Sequence, residues 1–149
     1  MPSDQIEWLS DLVRLEITLW NRVDARLRSA HDLPLAYFWP LYVIERSPGE
    51  SLRVGEIAGA IGLTVGGASK IVDRIVGEGL LQREPDPADR RASRIALTDA
   101  GKRKLAAASE TYETEMAAVL NAALSPEQQQ CMHGLVRALL AANDTGEPA

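Results

Sequence analysis

Between residues 55 and 77 lie two short stretches of helical periodicity, separated only by Gly62-Leu63-Thr64. That break constrains the chain more than any other feature. Gly62 suits a left-handed helix end, and Thr64 is a good N-cap for the second stretch. The upstream stretch, Gly55 to Ile61, has Ile57, Ala58 and Ile61 as its apolar positions. Downstream, from Val65 to about Gly77, the helical period places Ala68, Ile71, Val72 and Ile75 on one face. Gly66, Ser69, Lys70, Asp73 and Arg74 fall on the opposite face. The spacing predicts two short helices joined by a tight turn.

After Gly79 the pattern changes. Leu80 to Glu84 reads as a strand, Pro85 to Arg91 as a turn-rich loop, and Ala92 to Leu97 as a second, alternating strand. The product is a hairpin with a long tip that carries Arg90 and Arg91. Upstream, residues 5–30 read as one long helix with two apolar stripes. Ile6, Leu9, Val13, Ile17 and Trp20 form one; Trp8, Leu12, Leu15, Leu19 and Val23 form the other. A helix on a single core needs one stripe, so the second is expected to meet another body, most simply a second copy of the chain.

His31-Asp32-Leu33-Pro34 ends that helix, and another runs from about Pro34 to Glu45. Pro40 is either its first-turn residue or a kink inside it. Ser47-Pro48-Gly49-Glu50 is a turn by composition, and Ser51-Leu52-Arg53 a short edge strand. Thr98 caps a further long helix with Leu105, Tyr112, Met116, Val119 and Ala123 on one face. Ser125-Pro126-Glu127-Gln128 starts the last helix, which runs to about Ala142 and leaves residues 143–149 as a tail.

The chain has 149 residues, 46% hydrophobic and 25% charged, which fits a globular domain with appended interaction elements and excludes a disordered chain. No apolar run approaches the roughly 18 residues of a membrane span, and the first residues lack a signal-peptide pattern. One cysteine, Cys131, excludes an internal disulfide and a Cys-cluster zinc site. A cytoplasmic location is expected. The net charge is -5, unevenly spread. Residues 1–67 carry 6 basic and 9 acidic residues, residues 105–149 carry 1 and 6, and residues 68–104 carry 9 and 6. A basic patch on an acidic body suits a protein that touches a polyanion through one face.

Two short helices at a tight turn, followed by a basic-tipped hairpin, make a winged helix-turn-helix. In that arrangement the second helix enters the major groove and the hairpin reaches the adjacent minor groove. The expected fold is mainly α with a small β-hairpin wing: an N-terminal dimerisation helix over 1–33, a DNA-binding domain over 34–100, and C-terminal dimerisation helices over 101–149. The DNA-facing candidates are Thr64, Gly66, Ser69, Lys70 and Arg74 on the second helix, and Arg90, Arg91 and Arg94 on the hairpin. Gly66-Gly67 reads either as a backbone approach to phosphate or simply as a weak helix start.

Several segments carry a resemblance to the MarR family of bacterial transcription regulators. They are Glu56-Ile57-Ala58, Gly62-Leu63-Thr64, Ile71-Val72-Asp73-Arg74-Ile75, Gly79-Leu80-Leu81-Gln82-Arg83, Asp86-Pro87-Ala88-Asp89-Arg90-Arg91 and Leu97-Thr98-Asp99-Ala100-Gly101. The resemblance extends over nearly the whole chain, because flanking dimerisation helices also belong to the family. It implies a homodimer that binds double-stranded DNA and represses transcription until a small ligand lowers its affinity. A two-fold dimer would read an inverted-repeat operator. The resemblance also implies that a wing arginine neutralises Asp73, so Asp73 and Asp89 are expected to orient the wing.

Six of the seven aromatics lie in the first 42 residues. They read either as core and dimer packing or as a ligand pocket where the first two helices meet the DNA-binding lobe. Family members often bind small aromatic acids there, which makes Arg14, Trp20, His31, Tyr37, Phe38 and Tyr42 the ligand candidates, with Arg14 and His31 as carboxylate anchors. No Gly-rich phosphate loop or nucleophile elbow is present, and Cys131 and His133 do not share a helix face. No enzyme activity, metal or cofactor is expected. Cys131 is expected to be a buried thiol, with no basic neighbour to lower its pKa. Two other classes stay open: a winged helix that binds a protein partner, against which the basic middle segment counts, and a redox-sensing regulator that uses Cys131.

Overall fold

The computed structural model describes residues 2–144. In chain order the elements are α1 (Pro2–His31), α2 (Leu35–Glu45), a 3-10 turn at Pro48–Glu50, β1 (Ser51–Leu52), α3 (Val54–Ile61), α4 (Val65–Gly77), β2 (Leu81–Asp86), β3 (Asp89–Leu97), α5 (Asp99–Ala123) and α6 (Pro126–Asn143). This is the mainly helical architecture with a small hairpin wing that the periodicities predict. The expected C-terminal tail lies, from residue 145 on, outside the described residues. Within α5 the chain divides into two compact units, one ending at Tyr112 and the other beginning at Glu113.

The first unit holds the core, in which Leu27, Leu33, Leu41, Ile44, Ile57, Val72, Ile75, Ile95 and Leu105 are buried. Only the last turns of α1 enter it, through Val23 and Leu27. Ile6, Trp8, Leu9, Leu12, Val13, Leu15 and Ile17, from both stripes, are exposed within one chain. Asp24 of α1 accepts the Leu35 N–H at 2.8 Å and so caps α2, because Pro34 at the N-cap offers no side-chain acceptor. Pro40 is a buried interior residue of α2, which decides between the two placements its sequence allows.

The helix-turn-helix forms as its caps require. Gly62 ends α3 in the left-handed region, at φ +72°, and the Thr64 hydroxyl accepts the Gly67 N–H at 3.1 Å. At the start of α3 the Arg53 N–H donates to the Glu56 carboxylate at 3.0 Å.

The three strands form an antiparallel sheet of order β1-β3-β2, with β1 on an edge. The hairpin is tighter than its sequence suggests: only Pro87 and Ala88 lie between the strands, in place of the expected loop over 85–91. The Asp86 carboxylate accepts the Ala88 N–H at 2.9 Å, an Asx turn that closes the loop early. Register then slips. Pro85 pairs with Ser93 but Asp86 pairs with Asp89, so Arg90, Arg91 and Ala92 have no ladder partners on β2. Bulges of this kind re-aim side chains.

Where α4, β2, β3 and α5 meet, the packing leaves no slack. Gly79 has φ +76°, and the Gly79 and Leu80 N–H groups close the end of α4 on Val76 and Ile75. Thr98 donates its N–H to the Leu80 carbonyl at 3.1 Å and its hydroxyl to the Gly79 carbonyl at 2.6 Å. The same hydroxyl accepts the Gly101 N–H at 3.0 Å, capping α5.

In the second unit Ser125 and Gln128 form the expected reciprocal cap of α6. No described residue of this unit is buried within one chain. Cys131 is therefore exposed, contrary to the expectation of a buried thiol, because α6 has no cover over its apolar face.

A Cβ at Gly101 would lie 2.0 Å from the Leu80 carbonyl oxygen. Gly101→Ala is expected to lower stability by about 1–3 kcal/mol, the cost of forced overpacking. Thermal melting checks this, and an unchanged midpoint contradicts so close an approach.

Candidate nucleic-acid interface

Helix α4 buries Ala68, Val72 and Ile75 and turns Gly66, Lys70, Asp73 and Arg74 to solvent, with Ser69 half-buried. Its hydrophobic side faces the core because the period is helical, so the polar side must face out. Thr64 is exposed, but its hydroxyl oxygen is engaged in capping α4. Among the described residues, the side chains of Lys70, Arg74, Arg90 and Arg91 form no ion pair with Asp or Glu. All four are exposed on this face, where an incoming polyanion would find them unneutralised.

Other arginines are committed within the protein. Arg83 of β2 binds Asp73 of α4, so α4 and the wing are tied by a charge-assisted bond. The Asp89 carboxylate accepts the Arg91 N–H at 2.9 Å and orders the start of β3. Arg94 departs from its expected place among the DNA-facing residues. Its guanidinium donates to the Ser51 hydroxyl at 2.8 Å and the Ser51 carbonyl at 2.7 Å, which fastens β3 to the edge strand.

Sequence reading missed Arg53 and Asp86 as a pair. The Arg53 Nε donates to Asp86 at 2.7 Å, and Arg94 stands 3.9 Å from the same oxygen. The Asp86 side chain is 3% exposed and the only buried polar one among the described residues. The Ala88 N–H first, and then Arg53, hold its carboxyl below the usual carboxylate range, while Asp86 in turn raises Arg53. Only the burial of Asp86 betrays this pair; nothing in the local spacing does, since the partners are 33 residues apart.

The ligand candidates scatter. A cavity of about 430 Å³ opens where α1 and α2 meet the reading head, lined by Trp20, Ala36, Trp39, Ala60, Ile61, Leu63 and Ile71. Of the six expected residues only Trp20 lines it. Phe38 and Tyr42 are not among its lining residues: Phe38 stacks on Tyr42 and on Tyr112 of α5, and Trp39 packs edge-on against all three rings. Tyr37 is half-buried and not among the lining residues. Ala36 and Trp39 share a helix face at i and i+3, which is why they reach the cavity together. His31 is engaged with the Thr111 hydroxyl at 2.7 Å. Arg14 is exposed, 3.5 Å from Asp11, beside a shallow groove on α1. No group of His, Cys, Asp and Glu that could hold a metal occurs among the described residues, and none of their helices is long and apolar enough to cross a membrane.

Helix-turn-helix, arginine-bearing wing and unneutralised cations on the exposed face of α4 define a winged helix-turn-helix protein. A family model described as MarR family matches residues 31–92, from the end of α1 through the wing tip. Sco3205, a MarR family transcriptional regulator from Streptomyces coelicolor solved in complex with DNA, is 25% identical and superposes with a TM-score of 0.85, covering 97% of this chain and 89% of that one. The same fold occurs in a MarR variant from E. coli complexed with operator DNA, at 19% identity, TM-score 0.81, and 92% and 96% coverage. It recurs in the transcriptional repressor CouR bound to a DNA duplex, at 23% identity, TM-score 0.78, and 87% and 89% coverage. Over residues 31–92 the chain is similar to the MarR family, and its fold is the one seen in MarR family transcriptional regulators.

The lowered Asp86 carboxyl has a consequence for acid stability. A depressed value in the folded state stabilises the fold above the ordinary value of 3.8 and loses that effect as pH falls through the folded value. Urea unfolding midpoints of wild type should exceed those of Asp86→Asn by a constant margin at neutral pH, and the margin should shrink below pH 3.8. A margin independent of pH would show that the carboxylate charge plays no part.

Proposed function

We propose that the protein is a homodimeric, sequence-specific DNA-binding regulator that represses transcription until a small apolar ligand lowers its affinity. The observation that carries the DNA reading is the set of unpaired cations. Lys70 and Arg74 stand on the exposed face of α4, and Arg90 and Arg91 are lifted from the ladder by the wing bulge. Within one body they present a helix for the major groove and two arginines for the minor groove. Thr64 and Gly66, at the N-terminus of α4, lie where backbone N–H groups approach a phosphate. Ser69 adds a polar contact, Asp73 and Asp89 orient, and Arg94 serves the wing from within.

Dimerisation is supported by the exposed apolar stripes of α1, and separately by Leu135, Val136, Leu139 and Leu140 on α6. Exposed patches of that extent mark interaction surfaces. Structures of MarR family regulators similar to this chain carry DNA, which favours the same partner here. A two-fold dimer places its recognition helices on half-sites about 10 base pairs apart.

The cavity supports the ligand reading and redirects its chemistry. Its lining is two indoles and five aliphatic side chains, without a cation to meet a carboxylate. A flat, uncharged aromatic molecule fits that lining better than an aromatic acid, because a buried carboxylate without a partner is strongly disfavoured. Bound between α1, α2 and the reading head, it would favour one spacing of the recognition helices, and a tenfold preference corresponds to about 1.4 kcal/mol.

Selection of bound duplexes from a random pool should return an inverted repeat. On that site Lys70→Ala and Arg91→Ala should each reduce the magnitude of the salt slope by roughly 0.9, and Lys70→Ala should relax specificity by about 1–3 kcal/mol if it reads a base. Wild-type binding by both variants would overturn the assignment. For the ligand, a neutral bicyclic phenol should quench tryptophan fluorescence and release DNA more effectively than the matching carboxylic acid. Trp20→Phe should reduce the quenching and Arg14→Ala should not. Preference for the acid, abolished by Arg14→Ala, would reverse the reading.

A further inference from the structure

The wing arginines are unpaired, yet they sit on a bulge rather than in a regular ladder, so something must hold the bulge in place. The two ladder pairs that bracket it are Pro85 with Ser93 and Asp86 with Asp89. Asp86 is therefore the residue of β2 at which the register slips. One of its oxygens closes the turn through the Ala88 N–H at 2.9 Å, and the other takes the Arg53 Nε at 2.7 Å. Arg53 is not part of the wing. It is the N-cap of α3, the residue at which the edge strand becomes the first helix of the helix-turn-helix. Arg94 stands 3.9 Å from the same Asp86 oxygen and binds Ser51 at the start of that edge strand. The Ser51 carbonyl also accepts the Ser47 hydroxyl at 3.3 Å, which extends the network to the turn after α2.

We infer that Asp86 is a positioning residue for DNA binding, a buried carboxylate that clamps the wing tip to the N-terminus of α3 and thereby sets where Arg90 and Arg91 are presented. It rests on the DNA-binding reading above, and it assigns the clamp a job the free arginines cannot do alone. A two-residue turn and a slipped ladder leave the wing tip with few backbone bonds of its own. An arginine aimed at a groove gains only if its root is held, because freezing a mobile loop on binding costs conformational entropy. The clamp supplies that restraint before DNA arrives. A buried carboxylate between two guanidiniums also loses far more than a surface pair when one partner is removed, since the remaining charge is left unmatched.

The decisive substitution is Asp86→Asn. Removing an acid beside a polyanion's binding face should strengthen binding if only long-range charge matters. The clamp gives the opposite sign: Asp86→Asn should weaken binding to a linear mixed-sequence duplex and reduce the magnitude of the salt slope by roughly 0.9 for each wing arginine that loses its phosphate. Arg90→Ala and Arg91→Ala should then have smaller effects in the Asp86→Asn background than in wild type. Arg53→Ala, which leaves the Asx turn intact, provides a second variant, and circular dichroism confirms that each is folded at the assay temperature. Hydrogen exchange at the Arg91 amide should rise in both variants whether or not DNA is present. Failure of wild type to bind any duplex refutes the DNA reading. Wild-type binding with tighter or equal binding by Asp86→Asn, an unchanged salt slope and additive arginine effects overturns the clamp, as does unchanged amide exchange.

Discussion

The carbonyl of Leu80 is the point on which the winged helix-turn-helix body turns. Thr98 donates to it, and Gly101 approaches it so closely that no side chain fits between them. Four elements are registered there: the end of α4, the start of β2, the end of β3 and the first turn of α5. The approach sets the root of the wing against the root of the recognition helix, and the Arg83–Asp73 bond then fixes the same two elements farther out. With both points held, the helix and the wing move as one piece.

That rigidity divides the arginines into two kinds. Arg53, Arg83 and Arg94 are consumed inside the protein by Asp86, Asp73 and Ser51. Lys70, Arg74, Arg90 and Arg91 are left for an external anion. A uniformly free set would carry more positive potential but no defined geometry, because each long side chain would hold its rotamer freedom until DNA arrived. Internal carboxylates lower the net charge of the face and in return give the remaining cations fixed roots.

The aromatic residues of α2 form one connected group with Tyr112. Phe38 stacks on Tyr42 and Tyr112, and Trp39, edge-on to all three, also lines the cavity with Trp20. The cavity thus has a rigid wall on one side and the start of α4 close to the other, through Ile61, Leu63 and Ile71. Any occupant would press on the turn of the helix-turn-helix, which is where a small displacement moves the recognition helix most.

The sequence by itself determined the elements and their polarity. The period of residues 65–77, the Gly62 and Thr64 ends, the Ser125 cap and the apolar stripes of α1 are all local properties, and local steric and hydrogen-bonding rules decide them. The positive charge of residues 68–104 was legible for the same reason: it needs only composition. The tertiary structure alone decided which arginines are free, that the wing turn closes at Pro87-Ala88, that Trp39 rather than Phe38 lines the cavity with Trp20, and that Asp86 is buried between Arg53 and Arg94. Each of those facts depends on partners brought together from distant parts of the chain. Arg53 and Asp86 are 33 residues apart, and Arg94 and Ser51 are 43. No periodicity records such a meeting, because it is the pairing of β1 and β2 with β3 that brings the partners into reach.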